Sequence, residues 1–171
     1  AMTVVAITLV VGWPLLVAAA GRGRLELRFL DVGQGDAIAI RTPRGRWILV
    51  DAGPPWTGRG PGPVVGALGR LGVRRLEGLI LTHPDADHIG GAPDVLTTLE
   101  VGTVLDPAVP TGKGGYVRLL EEALARNVPW RRAAAPLRWT VDGVTFQVLH
   151  PDHPEEEDGA APSSTASNDL S

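Results

Sequence analysis

The chain has 171 residues, long enough for one domain with its own core and too short for two of ordinary size. Apolar residues make up 44% and charged ones 20%, which excludes a disordered chain, and a net charge of −3 excludes a broad basic field for nucleic acid. Cysteine is absent, so disulfides and thiolate metal centres are excluded, and any metal must be held by His and carboxylates. The cations are fifteen Arg and one Lys, Lys113. Arg suits phosphate recognition, but a GC-rich coding bias explains the same preference more simply.

The first twenty residues carry no charge and are dominated by Val, Ala, Leu and Ile. About 20 apolar residues is the length that crosses a bilayer core. A cleavable signal peptide competes, because Val17-Ala18-Ala19-Ala20 has the small residues of a cleavage site, yet no basic segment precedes it. A buried core helix is the third alternative. The expectation is a transmembrane helix over residues 1–21, the end of a membrane region, with the abrupt start of a piece cut from a larger protein.

From residue 24 onward the patterning is that of a folded domain. Residues 25–30 alternate like a strand, and Asp31-Val32-Gly33-Gln34-Gly35-Asp36 is a glycine-rich turn. Strands follow over 37–41 and 47–50, with a hairpin turn at Pro43-Arg44-Gly45 between them. The second ends at Asp51-Ala52-Gly53, and a Pro/Gly-rich loop leads to a helix over 64–71 closed by Gly72. An apolar strand over 76–81 delivers the chain into Thr82-His83-Pro84-Asp85-Ala86-Asp87-His88-Ile89-Gly90-Gly91. Beyond it the spacing predicts a helix over 93–99, a strand over 101–105, a helix over 117–127 and a hairpin over 139–149 turning at Asp142-Gly143. This order is mixed α/β. Residues 152–167, rich in Glu, Asp, Ala, Pro and Ser, are expected to form a mobile loop, and the chain ends without a further strand.

The segment from His83 to His88 concentrates the chemistry, because four of its six residues can bind a metal. His83 and Asp85, two apart in extended chain, can point to the same side. Pro84 disfavours helix at His83 and keeps that stretch open. Asp87 and His88, adjacent where the next helix begins, point elsewhere, so one loop can serve two neighbouring ions. Gly90 and Gly91 remove side chains where the loop packs closely. The simpler alternative is a helix start in which Asp85 or Asp87 caps backbone N–H groups, which accounts for one Asp and neither His.

The pattern resembles the His-x-His-x-Asp-His signature of the metallo-β-lactamase superfamily, and Leu49-Val50-Asp51-Ala52-Gly53 is similar to the strand-ending Asp-Gly element before it. More narrowly, F-L-D-V-G-Q-G-D over 29–36 and T-H-P-D-A-D-H-I-G-G over 82–91 resemble the C-terminal domain of ComEC-type competence proteins, which move transforming DNA across a membrane. The resemblance spans about residues 2–171 and is strongest over 25–92. It implies a metallo-β-lactamase-like αββα sandwich over 24–171, incomplete at the C-terminus and preceded by the transmembrane helix.

Carried over by position, the resemblance implies that His83 and Asp85 ligate one metal, Asp87 and His88 a second, and Asp51 orients a ligand from behind. Asp85 stands where the superfamily has a second His. A carboxylate is the harder ligand and tilts preference from Zn²⁺ toward Mn²⁺ or Mg²⁺. Two divalent ions about 3.5–4 Å apart bind a phosphodiester oxygen and supply hydroxide near neutral pH, so the implied reaction is phosphodiester hydrolysis in DNA. Asp31, Gln34 and Asp36 are then a substrate-side loop acting with Asp87. Simple turn chemistry is the equal alternative for that loop. The superfamily's further ligands, a later His, a bridging Asp and a last His, have no counterparts here. His150 resembles a hairpin end, and the chain as given is expected not to complete a two-metal site.

The resemblance, with the residues, implies three alternative functions. The first is a nuclease-like domain of a DNA-uptake channel at the cell membrane, meeting single-stranded DNA and other competence proteins on the extracytoplasmic face. The second is a non-catalytic structural module of that transporter. The third is an exported hydrolase of small esters. Arg22, Arg24 and Arg28 after the apolar segment favour the opposite, cytoplasmic face.

Overall fold

The computed structural model describes residues 23–108 and 112–152. The expected transmembrane helix over 1–21 and the loop after Asp152 lie outside the described residues. Among the described residues no helix is long and apolar enough to cross a membrane.

Strands β1 (Glu26–Phe29), β2 (Ile38–Arg41) and β3 (Trp47–Val50) form an antiparallel meander, with Phe29 opposite Ile38 and Ile38 opposite Val50. Helix α1 (Pro63–Arg70) starts on a proline in its first turn, and Gly72 follows it at φ 73°. The chain then makes β4 (Arg75–Leu76), β5 (Gly78–Ile80), α2 (Ala86–Ile89), α3 (Ala92–Thr98), β6 (Glu100–Val101) and β7 (Val104–Asp106). Helix α4 (Gly114–Ala125), β8 (Trp130–Arg132) and the hairpin β9 (Arg138–Val141) and β10 (Val144–Gln147) complete it. The main sheet has six strands in the order β1-β2-β3-β5-β7-β8, and β3, β5, β7 and β8 run parallel. Parallel neighbours require crossovers, and the helices supply them.

Two expected strands are divided. Over 76–81 the chain breaks at Glu77, whose N–H donates to the Trp47 carbonyl at 2.7 Å, so that β4 pairs with β6 in a separate ribbon while β5 stays in the main sheet. The strand expected over 101–105 divides in the same way into β6 and β7. β8 is an unexpected strand: Pro129 and two arginines disguise it, yet the Pro129 carbonyl accepts from Val104 N–H at 2.8 Å and starts the ladder.

One sheet face buries Ala39, Leu49, Leu79 and Val104 under Leu68 of α1, Val95 and Leu96 of α3 and Leu119 of α4. The register puts Ile40, Ile48, Val50, Ile80 and Leu105 on the other face, with Leu27 and Phe29 at its edge 52% and 75% exposed. The β9–β10 hairpin turns at Asp142 and Gly143, both at positive φ, as a two-residue turn demands. Thr42 donates its hydroxyl to Asp142 at 2.5 Å, fixing that turn against the β2–β3 connection. Because β3, β5 and β7 are parallel, their C-terminal ends share one edge and bring Asp51, Thr82, His83 and Asp106 together there. Ligand sites of open α/β sheets form outside such an edge.

Candidate metal centre

Asp51 is the hub of this edge. It is 2% exposed and follows β3 at φ 55°, a left-handed conformation that Asp tolerates better than most residues. Its Oδ1 accepts the Thr82 N–H at 2.9 Å, and its Oδ2 accepts the Thr82 hydroxyl at 2.6 Å and stands 3.0 Å from His88 Nδ1. A carboxylate only accepts, so His88 Nδ1 carries the proton in that contact. The Thr82 hydroxyl has given its hydrogen to Asp51, so it accepts from His83 Nδ1 at 2.9 Å. Both rings are thereby held in the tautomer that leaves the Nε2 lone pair open, the form a metal-binding imidazole needs.

Those two Nε2 atoms face carboxylates of the same loop. His83 Nε2 lies 3.5 Å from Asp85 Oδ2, and His88 Nε2 lies 3.9 Å from Asp87 Oδ2. The rings are 3.8 Å apart between centroids and tilted by 50°. The four side chains thus lie as two adjacent His–Asp pairs. Among the described residues, however, no three His, Asp or Glu side chains are gathered around one point as a metal cluster. The imidazole and carboxylate donor set fits a divalent cation of borderline or hard character, Zn²⁺, Mn²⁺ or Mg²⁺, with His83 and Asp85 on one side and Asp87 and His88 on the other.

The capping alternative does not hold. Asp85 occupies the N-cap of α2 in extended conformation, but its side chain makes no capping bond. Its carboxylate instead receives the Nζ of Lys113, from the start of α4, and this ammonium holds the Asp85 carboxyl below the usual carboxylate range. Burial disfavours a charged His88, but the Asp51 hydrogen bond and the charges of Asp51, Asp87 and Asp36 outweigh it and leave its pKa raised.

The glycine-rich turn after β1 reaches this loop in part. A Cβ at Gly35, which has φ 104°, would lie 1.9 Å from the Asp87 carbonyl oxygen, so the two backbones touch. Asp36 Oδ2 is 3.9 Å from His88 Nδ1, and the Asp36 carbonyl accepts from Gly53 N–H. Asp31 instead closes its own turn onto Gly33 N–H at 3.2 Å, and it borders a surface hollow with Arg28 and Arg70. Gln34 is exposed. Of the three substrate-side candidates, the structure brings Asp36 to the histidines.

Backbone bonds lock the loop to the end of β3: Ala52 N–H donates to the His88 carbonyl at 2.7 Å, and Gly91 N–H to the Gly53 carbonyl at 3.0 Å. A Cβ at Gly91 would lie 2.2 Å from the Ala52 oxygen, and one at Gly90 2.3 Å from Pro55 Cδ. Lys113 and Thr82, which contact Asp85 and Asp51, and the pair Asp106–Tyr116 at the same sheet edge were not singled out by the sequence. Asp106, 2% exposed at the end of β7, accepts the Tyr116 hydroxyl at 2.5 Å and so ties the start of α4 to the same edge. Only the Thr directly before the first His carried a local signal.

A mixed sheet with helices on one face and a His/Asp loop at the ends of its parallel strands defines an α/β domain of metallo-hydrolase type. The chain belongs to the metallo-beta-lactamase superfamily, whose model matches residues 30–160. It is similar to ComE operon protein 3 of Bacillus subtilis, 28% identical over 145 residues, covering 76% of this chain and 19% of that protein. It is also similar to competence protein ComA of Neisseria gonorrhoeae, 31% identical over 121 residues, covering 71% of this chain and 15% of that protein. A UPF0173 metal-dependent hydrolase of Cupriavidus metallidurans is 27% identical over 148 residues, covering 84% of this chain and 46% of that protein. The chain therefore spans less than a fifth of the two competence relatives, at 19% and 15%.

Proposed function

We propose that the chain is the metal-dependent hydrolase domain of a ComEC-type membrane competence protein, and that it cleaves phosphodiester bonds of DNA during uptake. The observation that carries this reading is the Asp51 relay, which orients His83 through Thr82 and His88 directly, with both Nε2 atoms toward Asp85 and Asp87. Such relays fix the tautomer and orientation of metal-binding imidazoles.

His83 and Asp85 would hold one divalent ion and Asp87 and His88 a second, Mn²⁺ or Zn²⁺ first and Mg²⁺ next. When bound, the ions supply Lewis acidity and a hydroxide near neutral pH. The chain's own residues do the rest. Asp51 keeps both Nδ1 atoms protonated, and Asp36 beside His88 adds negative charge to the cation site. Asp36, Asp85 and Asp87 would repel a phosphodiester if no cation offset them, so substrate binding is coupled to metal binding. Asp31 and Gln34 belong to the substrate side of the same turn in this reading. The partners are single-stranded DNA, the membrane and other competence proteins, with the domain on the extracytoplasmic face.

The test is DNA cleavage by the full-length protein with Mn²⁺, Mg²⁺ or Zn²⁺, beside an Asp87→Ala, His88→Ala variant. Metal-dependent cleavage lost in the variant supports the reading, and equal cleavage by both overturns it. A non-catalytic structural module is the second reading. It is favoured by the engagement of Asp85 by Lys113, which withholds one of the four donors. Bound metal without cleavage would select it.

A further inference from the structure

Lys113 sits where local chemistry disfavours it. It is the N-cap of α4, a 12-residue helix, in extended conformation and without a capping bond from its side chain. Helix starts present unsatisfied N–H groups and the positive end of the macrodipole, so Ser, Thr, Asp or Asn stabilise them and a cation does not. A residue that breaks its local rule is explained by what it does elsewhere. Here the ammonium reaches Asp85 across 28 residues of sequence.

The backbone of Lys113 is fixed while its side chain is half exposed. Its carbonyl accepts from Tyr116 N–H at 3.0 Å and Val117 N–H at 3.2 Å, and Tyr116 is bonded in turn to Asp106 at the end of β7. α2, which follows Asp85, also packs against α4. The Lys113 side chain is 58% exposed and that of Asp85 50%, so the pair lies at the mouth of the loop rather than in the core. Lysine is a compact point charge on a flexible stem, suited to leaving one anion for another, whereas an arginine fork binds a carboxylate in two places.

We infer that Lys113 is the exchangeable counter-ion of Asp85: its ammonium neutralises this carboxylate until a divalent cation claims it, and then serves the anionic oxygen of a substrate. The inference rests on the hydrolase reading for its substrate and on the metal loop alone for the exchange. Ammonium and metal compete for one carboxylate and repel each other, so Lys113 weakens metal binding while favouring an anionic substrate on the loaded protein.

The experiment is calorimetric titration of the full-length protein with Mn²⁺ alone, in wild type, Lys113→Ala and Lys113→Arg, followed by DNA cleavage kinetics. In near-aqueous surroundings a single charge about 4 Å from a dication acts on the order of tenfold on affinity. Lys113→Ala is therefore expected to bind Mn²⁺ on the order of tenfold more tightly. Lys113→Arg, which keeps the charge, should bind no more tightly than wild type. KM for DNA should rise severalfold in Lys113→Ala with kcat little changed. Unchanged or weaker Mn²⁺ binding in folded Lys113→Ala overturns the inference, as does an absence of Mn²⁺ binding in all three proteins. Tighter Mn²⁺ binding in Lys113→Ala without DNA cleavage by any of the proteins would uphold the exchange and remove only the nuclease reading.

Discussion

Replacing Asp51 by Asn probes the hub with almost no change of shape. Asn tolerates the left-handed φ of 55° at this position as well as Asp does, so the backbone contributes little to the effect. The amide oxygen can still accept the Thr82 N–H, now at 2.9 Å from Oδ1. The NH₂ then stands where Oδ2 receives the Thr82 hydroxyl at 2.6 Å and faces His88 Nδ1 at 3.0 Å. Two donors meet a donor. His88 must lose that bond or move its proton to Nε2, the atom a metal needs; turning the amide over only transfers the conflict to the Thr82 N–H. Hydrogen bonds to a charged group contribute about 1.5–3 kcal/mol each, and partial repair leaves a net destabilisation of about 2–4 kcal/mol. Loss of an orienting partner lowers metal affinity by about 10–100-fold, equivalent to about 1.4–2.7 kcal/mol. Urea unfolding and Mn²⁺ titration of wild type and Asp51→Asn measure the two effects separately. A folded variant that binds Mn²⁺ within about twofold of wild type would refute the relay.

Three further outcomes follow from the same contacts. Gly35→Ala puts a methyl 1.9 Å from the Asp87 carbonyl at a φ of 104°, and is expected to cost about 2–3 kcal/mol and displace the metal loop; an unchanged urea midpoint would contradict this. Tyr116→Phe leaves the Asp106 carboxylate, 2% exposed, without its hydroxyl donor, at an expected cost of about 1–3 kcal/mol in urea unfolding. Burial, then the hydrogen bond to Asp106 and its charge, push the Tyr116 phenol up. A raised folded pKa means that the wild-type advantage is complete below the unfolded value near about 10 and is lost only as pH rises through the higher folded value. For His88 the pKa is raised as well, so its contribution to stability is complete below about 6.5 and fades as pH rises through the folded value. Metal binding runs the other way, because it needs neutral imidazole. Apparent Mn²⁺ affinity should climb with pH by up to about tenfold per unit across that range, and Asp36→Asn should move the climb to lower pH. An affinity independent of pH would exclude His88 as a ligand.

The residues of the metal loop were legible because they are local. His83, Asp85, Asp87 and His88 lie within six positions, between an apolar strand and two glycines, so their spacing is read without help from the rest of the chain. Asp51 was legible as the end of a strand, and the structure gives the reason in its bonds to Thr82 and His88. Lys113 was not, since nothing in Gly112-Lys113-Gly114-Gly115 points to a partner 28 residues earlier; only the parallel order of β5 and β7 brings the two loops to one edge. Asp106 and Tyr116 were hidden for the same reason. The six-residue turn over 31–36 was half legible: Gly35 and Asp36 meet the metal loop, whereas Asp31 satisfies its own turn. The helices kept their periodicity, while β4, β6 and β8 were lost to the eye because two or three residues carry too little pattern to compete with a neighbouring Pro or Arg.

The central claim is that the loop from His83 to His88 holds a divalent ion through imidazole Nε2 atoms set by Asp51. Metal content of the purified full-length protein, measured beside the Asp87→Ala, His88→Ala variant after equal exposure to Mn²⁺ and Zn²⁺, tests it most directly. The account predicts bound metal in the wild type and its loss in the folded variant. Equal metal in both, or none in either, would contradict it.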